Sequence, residues 1–127
     1  VLLTETTSNL FDENFVGCID NVLTAIREDE SEAYSPDLLI TFGHQVVSKK
    51  IKKFLRDHKP GNHWHISPSG EGLNTFQSLT KTVTATPFAF FTAMGRFAKK
   101  SDPAYAKAWL QKRNRVIDRR EDFLAKL

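Results

Sequence analysis

The chain has 127 residues, of which 40% are hydrophobic and 26% charged, with a formal net charge of +3 and one cysteine. That size and balance describe one globular domain whose core needs no disulfide or metal. They exclude a disulfide scaffold, and with no run of about 18 apolar residues and no leader pattern they give no sign of a membrane span or secretion signal.

Val1–Glu5 reads as a strand that runs into the polar turn Thr6-Thr7-Ser8-Asn9. Asn14–Arg27 reads as a helix, with Phe15, Ile19, Val22, Leu23 and Ile26 at helical spacing. Cys18 lies in that pattern as a buried structural thiol, and a lone cysteine fits a reducing, cytoplasmic setting. Residues 28–36 form an acidic loop. Leu38–Phe42 is a strand apolar on both faces, as inside a parallel sheet, and it ends in Gly43.

Ser48–His58 is the next helix, with Ser48 as N-cap and Val47, Ile51, Phe54 and Leu55 as its buried stripe. Pro60-Gly61 closes it. His63–Ser67 and Lys81–Ala85 are strands. Pro87 opens a helix carrying Phe88, Phe91, Met94 and Phe97. Asp102-Pro103 opens a long helix to Leu127, with Trp109, Leu110, Val116, Ile117, Phe123 and Leu124 on its apolar side.

The order β-α-β-α-β-β-α-α predicts an α/β domain with a mostly parallel, Rossmann-like sheet flanked by helices. The charge is uneven. Residues 1–43 hold one base and nine acids, whereas residues 96–127 hold ten bases and four acids. A basic C-terminal half fits nucleic acid, an anionic ligand or an acidic neighbouring domain. The interspersed acids Asp118, Glu121 and Asp122, and the lack of a recognition motif, favour an interdomain helix over a nucleic-acid reader.

The chemistry centres on Leu38-Leu39-Ile40-Thr41-Phe42-Gly43 and the helix after it. Strand, glycine turn and helix start place backbone N–H groups and positive dipole charge where anions bind. Lys49 and Lys50 add two charges in a first turn that ordinarily favours acids. Cations there imply an anion close by, a ligand or a partner's carboxylate. Lys52, Lys53 and Arg56 read as a solvated face. Glu5 and Thr6–Asn9 follow a strand in the same way. They are either a binding rim or a hydrogen-bonded turn.

Gly43 stands without the further glycines of a dinucleotide fingerprint, and Ser48-Lys49-Lys50 lacks a Walker loop, which speaks against a FAD- or nucleotide-binding α/β domain. His63 and His65 share a strand face, but no Cys, Asp or Glu sits nearby at ligand spacing, so no metal site is expected.

Three stretches together resemble a known family: PDLLITFGHQVVSKKIKKFL (36–55), VLLTETTSNL (1–10) and FVGCIDNVL (15–23). They are similar to the central domain of the 2-succinyl-5-enolpyruvyl-6-hydroxy-3-cyclohexene-1-carboxylate synthases, the thiamine-diphosphate-dependent transferases of menaquinone biosynthesis. The likeness covers roughly residues 1–75; beyond them only the order of elements agrees.

The resemblance implies a truncated central domain of a three-domain, cytoplasmic enzyme. The first βα element is missing, and residues 103–127 lead toward a C-terminal domain. It implies partners in the N- and C-terminal domains of the same polypeptide and in a homodimer or homotetramer. It also implies that thiamine diphosphate and Mg2+ are held by the outer domains. Gly70-Glu71-Gly72 is not the family's metal-binding GDG motif, so the fragment alone is expected to be inactive. The family decarboxylates 2-oxoglutarate and adds the resulting unit to isochorismate. It places a Lys-Arg or Lys-Xaa pair where this chain has Lys49 and Lys50, so substrate-carboxylate binding by this pair is what the resemblance implies. Lysine at position 50 exchanges a bidentate guanidinium for a point charge.

Overall fold

The computed structural model describes all 127 residues, and the chain divides into two compact units. The first comprises residues 1–34, 47–51 and 102–127, and the second residues 35–46 and 52–101.

In the first unit, strand β1 (Leu2–Leu3) pairs in parallel with β2 (Phe15–Val16), Leu2 facing Phe15 and Leu3 facing Val16. Helix α1 (Ile19–Ala25) follows, and a 3-10 helix covers Glu28–Tyr34. The last helix, α4 (Ala104–Ala125), packs on α1, β2 and that 3-10 segment. Val16, Ile19, Val22, Tyr34, Ile51 and Trp109 are the unit's buried apolar side chains. The rings of Tyr34 and Trp109 meet edge to face, 5.3 Å apart at 88°.

Polar bonds fix α4 on this core. The Tyr105 hydroxyl donates to the Tyr34 carbonyl at 2.9 Å. Arg113 donates to the carbonyls of Glu13 and Phe15 at 2.5 and 2.8 Å. Lys112 donates to the Ala25 carbonyl at the C-terminus of α1, where the helix dipole favours a cation, and pairs with Glu30. That ammonium holds the Glu30 carboxyl below its ordinary range.

Here the sequence reading needs correction. The expected helix from Asn14 to Arg27 begins only at Ile19, and Phe15–Val16 is a strand. Asp12 explains the difference. Its carboxylate accepts from Asn14 N at 2.8 Å and its carbonyl from Phe15 N at 3.1 Å, a local turn that competes with helix. Cys18 therefore sits at the N-cap and is half-exposed, not buried in a helical stripe. The expected acidic loop is wound into the 3-10 helix.

The second unit holds a three-stranded parallel sheet. Its strands are β3 (Leu38–Phe42), β4 (Asn62–Ser67) and β5 (Lys81–Thr84), in the order β3-β4-β5. Central β4 is the most buried, with His63, His65, Ile66 and Ser67 closed from solvent. β3 is an edge of this sheet and is only half-buried, not enclosed on both faces as its apolar run suggests. Helix α2 (Lys49–Asp57) follows β3, and its residues 52–57 belong to this unit. Leu55 is buried as expected, whereas Val47, assigned to the same stripe, precedes the helix and is 67% exposed.

Helix α3 (Pro87–Phe97) starts as its sequence dictates. The Thr86 hydroxyl accepts from Ala89 N at 3.1 Å, and Pro87 occupies the first turn. It lies against β4, and Phe91 meets Phe42 of β3 at 5.2 Å. Phe88 and Phe97, expected on its apolar face, are exposed, as are Ile117, Phe123 and Leu124 on α4.

Gly70 turns the chain after β4 with φ +75°, and a Cβ there would approach Thr84 Oγ1 to 2.8 Å. Thr84 is exposed and its side chain can rotate away, so the backbone conformation carries most of the penalty. Gly70→Ala is expected to lower stability by about 1–2 kcal/mol, read from a shifted urea midpoint at unchanged slope. An unshifted midpoint would remove the left-handed turn.

Candidate functional site

The site grows from the start of α2. Four backbone N–H groups of any helix start lack intrahelical partners. Here Ser48 serves as N-cap, its Oγ accepting from Ile51 N at 3.2 Å. The N–H groups just before the helix go to Glu5. Val47 N lies 3.0 and 2.9 Å from the two carboxylate oxygens, and Ser48 N lies 2.6 Å from one of them. A carboxylate so placed satisfies orphan donors and answers the positive end of the dipole. One anion at this helix start is thus supplied by the chain itself, 42 residues upstream of Val47.

Two further bonds come from α1. The Ser48 hydroxyl donates to the Asp20 carboxylate. Lys50 Nζ lies 2.5 Å from Thr24 Oγ1, whose own proton goes to the Asp20 carbonyl at 2.7 Å. Lys49 and Lys50 are both exposed. Lys49 is in none of the chain's ion pairs, so the two lysines differ: one is braced by α1 and the other is open.

Beside this turn lies an open cleft of about 330 Å³. Thr4, Glu5, Thr6 and Thr7 form one wall, Gly17 to Asn21 another, and Val47 and Ser48 the third. The polar stretch after β1 divides between the cleft and a local turn. Thr6 and Thr7 line the cleft, whereas Ser8 donates to the Glu5 carbonyl at 2.6 Å and serves a local turn. Lys49 and Lys50 are not in the lining. The lining offers carboxylates, hydroxyls, an amide and the Cys18 thiol, but no cation.

That donor set does not fit thiamine diphosphate, whose diphosphate needs cations or a metal. Nor do the residues fit magnesium: no group of three or more His, Cys, Asp or Glu converges anywhere in the chain.

The histidines of β4 do something else. His63 Nε2 and His65 Nδ1 lie 2.8 and 2.9 Å from the Thr41 hydroxyl, and Ser78 Oγ is 3.3 Å from His63 Nδ1. A hydroxyl has one proton and two lone pairs, so Thr41 can donate to one ring and accept from the other, or accept from both, according to the ring tautomers. Burial holds both rings below the ordinary imidazole range, and for His63 the neighbouring His65 adds to it. Sequence reasoning placed the two rings on one face but had no signal for Thr41, which stands opposite His65 in the β3–β4 register.

Comparison with known proteins identifies the class. The family model described as the middle domain of thiamine pyrophosphate enzymes matches residues 1–126. Among curated relatives, a protein of Flavobacterium psychrophilum is 44% identical over 91 residues, covering 72% of this chain. One of Christiangramia forsetii is 48% identical over 86 residues, and one of Desulfotalea psychrophila 35% over 103, covering 64% and 81% of this chain. Each is named 2-succinyl-5-enolpyruvyl-6-hydroxy-3-cyclohexene-1-carboxylate synthase. The chain spans only 16%, 15% and 19% of their respective lengths. No solved structure matches it. No helix of the chain is long and apolar enough to cross a membrane.

Proposed function

Because this chain belongs to the middle-domain family of the thiamine pyrophosphate enzymes, we propose that it is the central domain of a 2-succinyl-5-enolpyruvyl-6-hydroxy-3-cyclohexene-1-carboxylate synthase. Such an enzyme joins 2-oxoglutarate, with loss of carbon dioxide, to isochorismate in cytoplasmic menaquinone synthesis. Thiamine diphosphate and Mg2+ are held by the N- and C-terminal domains, and residues 103–127 lead toward the latter. The complete enzyme works as a homodimer or homotetramer, and the fragment by itself is inactive.

The domain's own part is to tie the outer domains together and to lend cations to the substrate. Both substrates are dicarboxylates, so the reaction needs fixed positive groups. The observation that carries this reading is the state of Lys49 and Lys50. They project from a helix start that Glu5 braces through the N–H groups of Val47 and Ser48 just before it. Both side chains are exposed at the surface of the chain. Lys49 grips a substrate carboxylate, and Lys50, held at Thr24, adds long-range attraction.

In the full-length enzyme, Lys49→Ala is expected to raise the KM of one dicarboxylate by roughly 10–100-fold, the worth of a charge-assisted hydrogen bond. Lys50→Ala is expected to raise it less. Steady-state rates with each substrate varied in turn measure both. If Lys49→Ala leaves both Michaelis constants where they were, the substrate role is wrong and the domain is scaffold only.

A further inference from the structure

The first turn of α2 is gripped from two sides by acids that no substrate role explains. Glu5, at the end of β1, takes the N–H groups of Val47 and Ser48. Asp20, in the first turn of α1, takes the Ser48 hydroxyl through its carboxylate and the Thr24 hydroxyl through its carbonyl. Thr24 in turn receives Lys50.

These bonds have two physical consequences. An exposed helix start with two lysines would bind a carboxylate through its backbone N–H groups. Glu5 takes two N–H groups at that end, those of Val47 and Ser48, and the Ser48 hydroxyl takes that of Ile51, so an incoming carboxylate depends more on the ammonium groups. The Ser48–Asp20 bond acts differently. It fixes the rotation of α2 about its axis, and with it the direction in which Lys49 leaves the helix. A lysine stem has many rotamers, so its useful reach depends on a well-placed Cα.

We propose that Glu5 and Asp20 are positioning residues for the Lys49–Lys50 pair: Glu5 fixes the backbone of Val47 and Ser48 just ahead of α2, and Asp20 locks the turn through Ser48, so that a substrate carboxylate is read by the lysine side chains. This rests on the reading that the pair binds substrate.

The test uses the full-length enzyme with isochorismate and 2-oxoglutarate varied separately, and kcat and KM resolved for each variant. Glu5→Gln keeps the size of the side chain and a carbonyl oxygen within reach of both N–H groups, but it removes the negative charge that answers the positive end of the helix. It is expected to raise the affected KM about fivefold, the size of one lost helix cap, with kcat within about twofold. Asp20→Ala is expected to do the same. Asp20→Asn is expected to rescue it, because an amide carbonyl still accepts from Ser48.

The decisive arm is the pair Glu5→Gln with Lys49→Ala. If Glu5 acts through the lysine, its replacement adds nothing once Lys49 is gone. An equal rise in KM in both backgrounds would assign Glu5 a general structural role and overturn the proposal. So would an Asp20→Asn variant no better than Asp20→Ala. A KM indifferent to Lys49→Ala would fail the substrate reading first. A KM that responds to Lys49→Ala but not to Glu5→Gln would fail the positioning role alone.

Discussion

Trp109→Ala is expected to destabilise the chain by about 3–5 kcal/mol, enough to consume much of the stability of an ordinary small domain. Trp109 is 2% exposed and lies edge-on to Tyr34 in the core of the first unit. That core has few members, Val16, Ile19, Val22, Tyr34 and Ile51 being the other large apolar ones. Removal of the indole leaves a cavity that the short strands β1 and β2 are poorly able to close, and it loses the aromatic pair as well. Phe123→Ala on the same helix is the control. Phe123 is 64% exposed, and its loss is expected to cost no more than about 0.5 kcal/mol. Urea titration of both variants gives the comparison. Equal losses would mean that α4 is not anchored through Trp109.

The second large effect is expected from acid. His63 and His65 are buried neutral, and burial lowers the pKa of each in the folded state. The unfolded chain, with histidines near pKa 6.5, therefore takes up protons at a pH where the folded chain does not. Stability is then fully present above about pH 6.5 and falls as the pH drops below it toward the lowered folded values. Each histidine contributes at most about 1.4 kcal/mol per pH unit.

The surroundings offer no compensation. β3 carries no ionisable residue, and neither does the stretch 76–80. On β5 the only one is Lys81, whose ammonium lies over the Trp64 ring, and α3 has only Arg96. No carboxylate from these elements stands ready for an imidazolium. One added proton still leaves every hydrogen bond of the chain from Ser78 through Thr41 to His65 satisfiable. Two protons put N–H donors on both sides of Thr41 and two charges beside each other.

Unfolding free energies at pH 7.5 and 5.5 measure the effect, above the range where carboxylates titrate. The wild-type chain is expected to be less stable at the lower pH, and His65→Asn is expected to reduce the difference. A flat profile in the wild type would mean that the two rings are not buried neutral.

Several elements were legible because their causes are local. Thr86 followed by Pro87, and Ser48 followed by a basic amphipathic run, announce helix starts within a few residues, and the structure has them there. The parallel pairing of β3 and β4 follows from a strand, a helix and a strand in succession. The short β2 was not legible. Two residues are too few for a periodic pattern, and its partner is β1, thirteen positions upstream in register. Phe15 spaced four residues from Ile19 looked like a helix face because nothing local reveals a pairing with Leu2.

The site divides along the same line. Two lysines in a helix first turn oppose the dipole, and that pattern is what singles out Lys49 and Lys50 in the sequence as candidates for an anion. The sequence also determined the α/β class and the family likeness, since these rest on local patterns and on the order of elements. Which carboxylates of the chain brace the start of α2, only the tertiary structure decided. Glu5 reaches Val47 and Ser48, and Asp20 reaches Ser48, because β1 and α1 fold back on the start of α2. Contacts between residues 28 and 42 positions apart follow from packing of the chain in space, and no local sequence pattern encodes them.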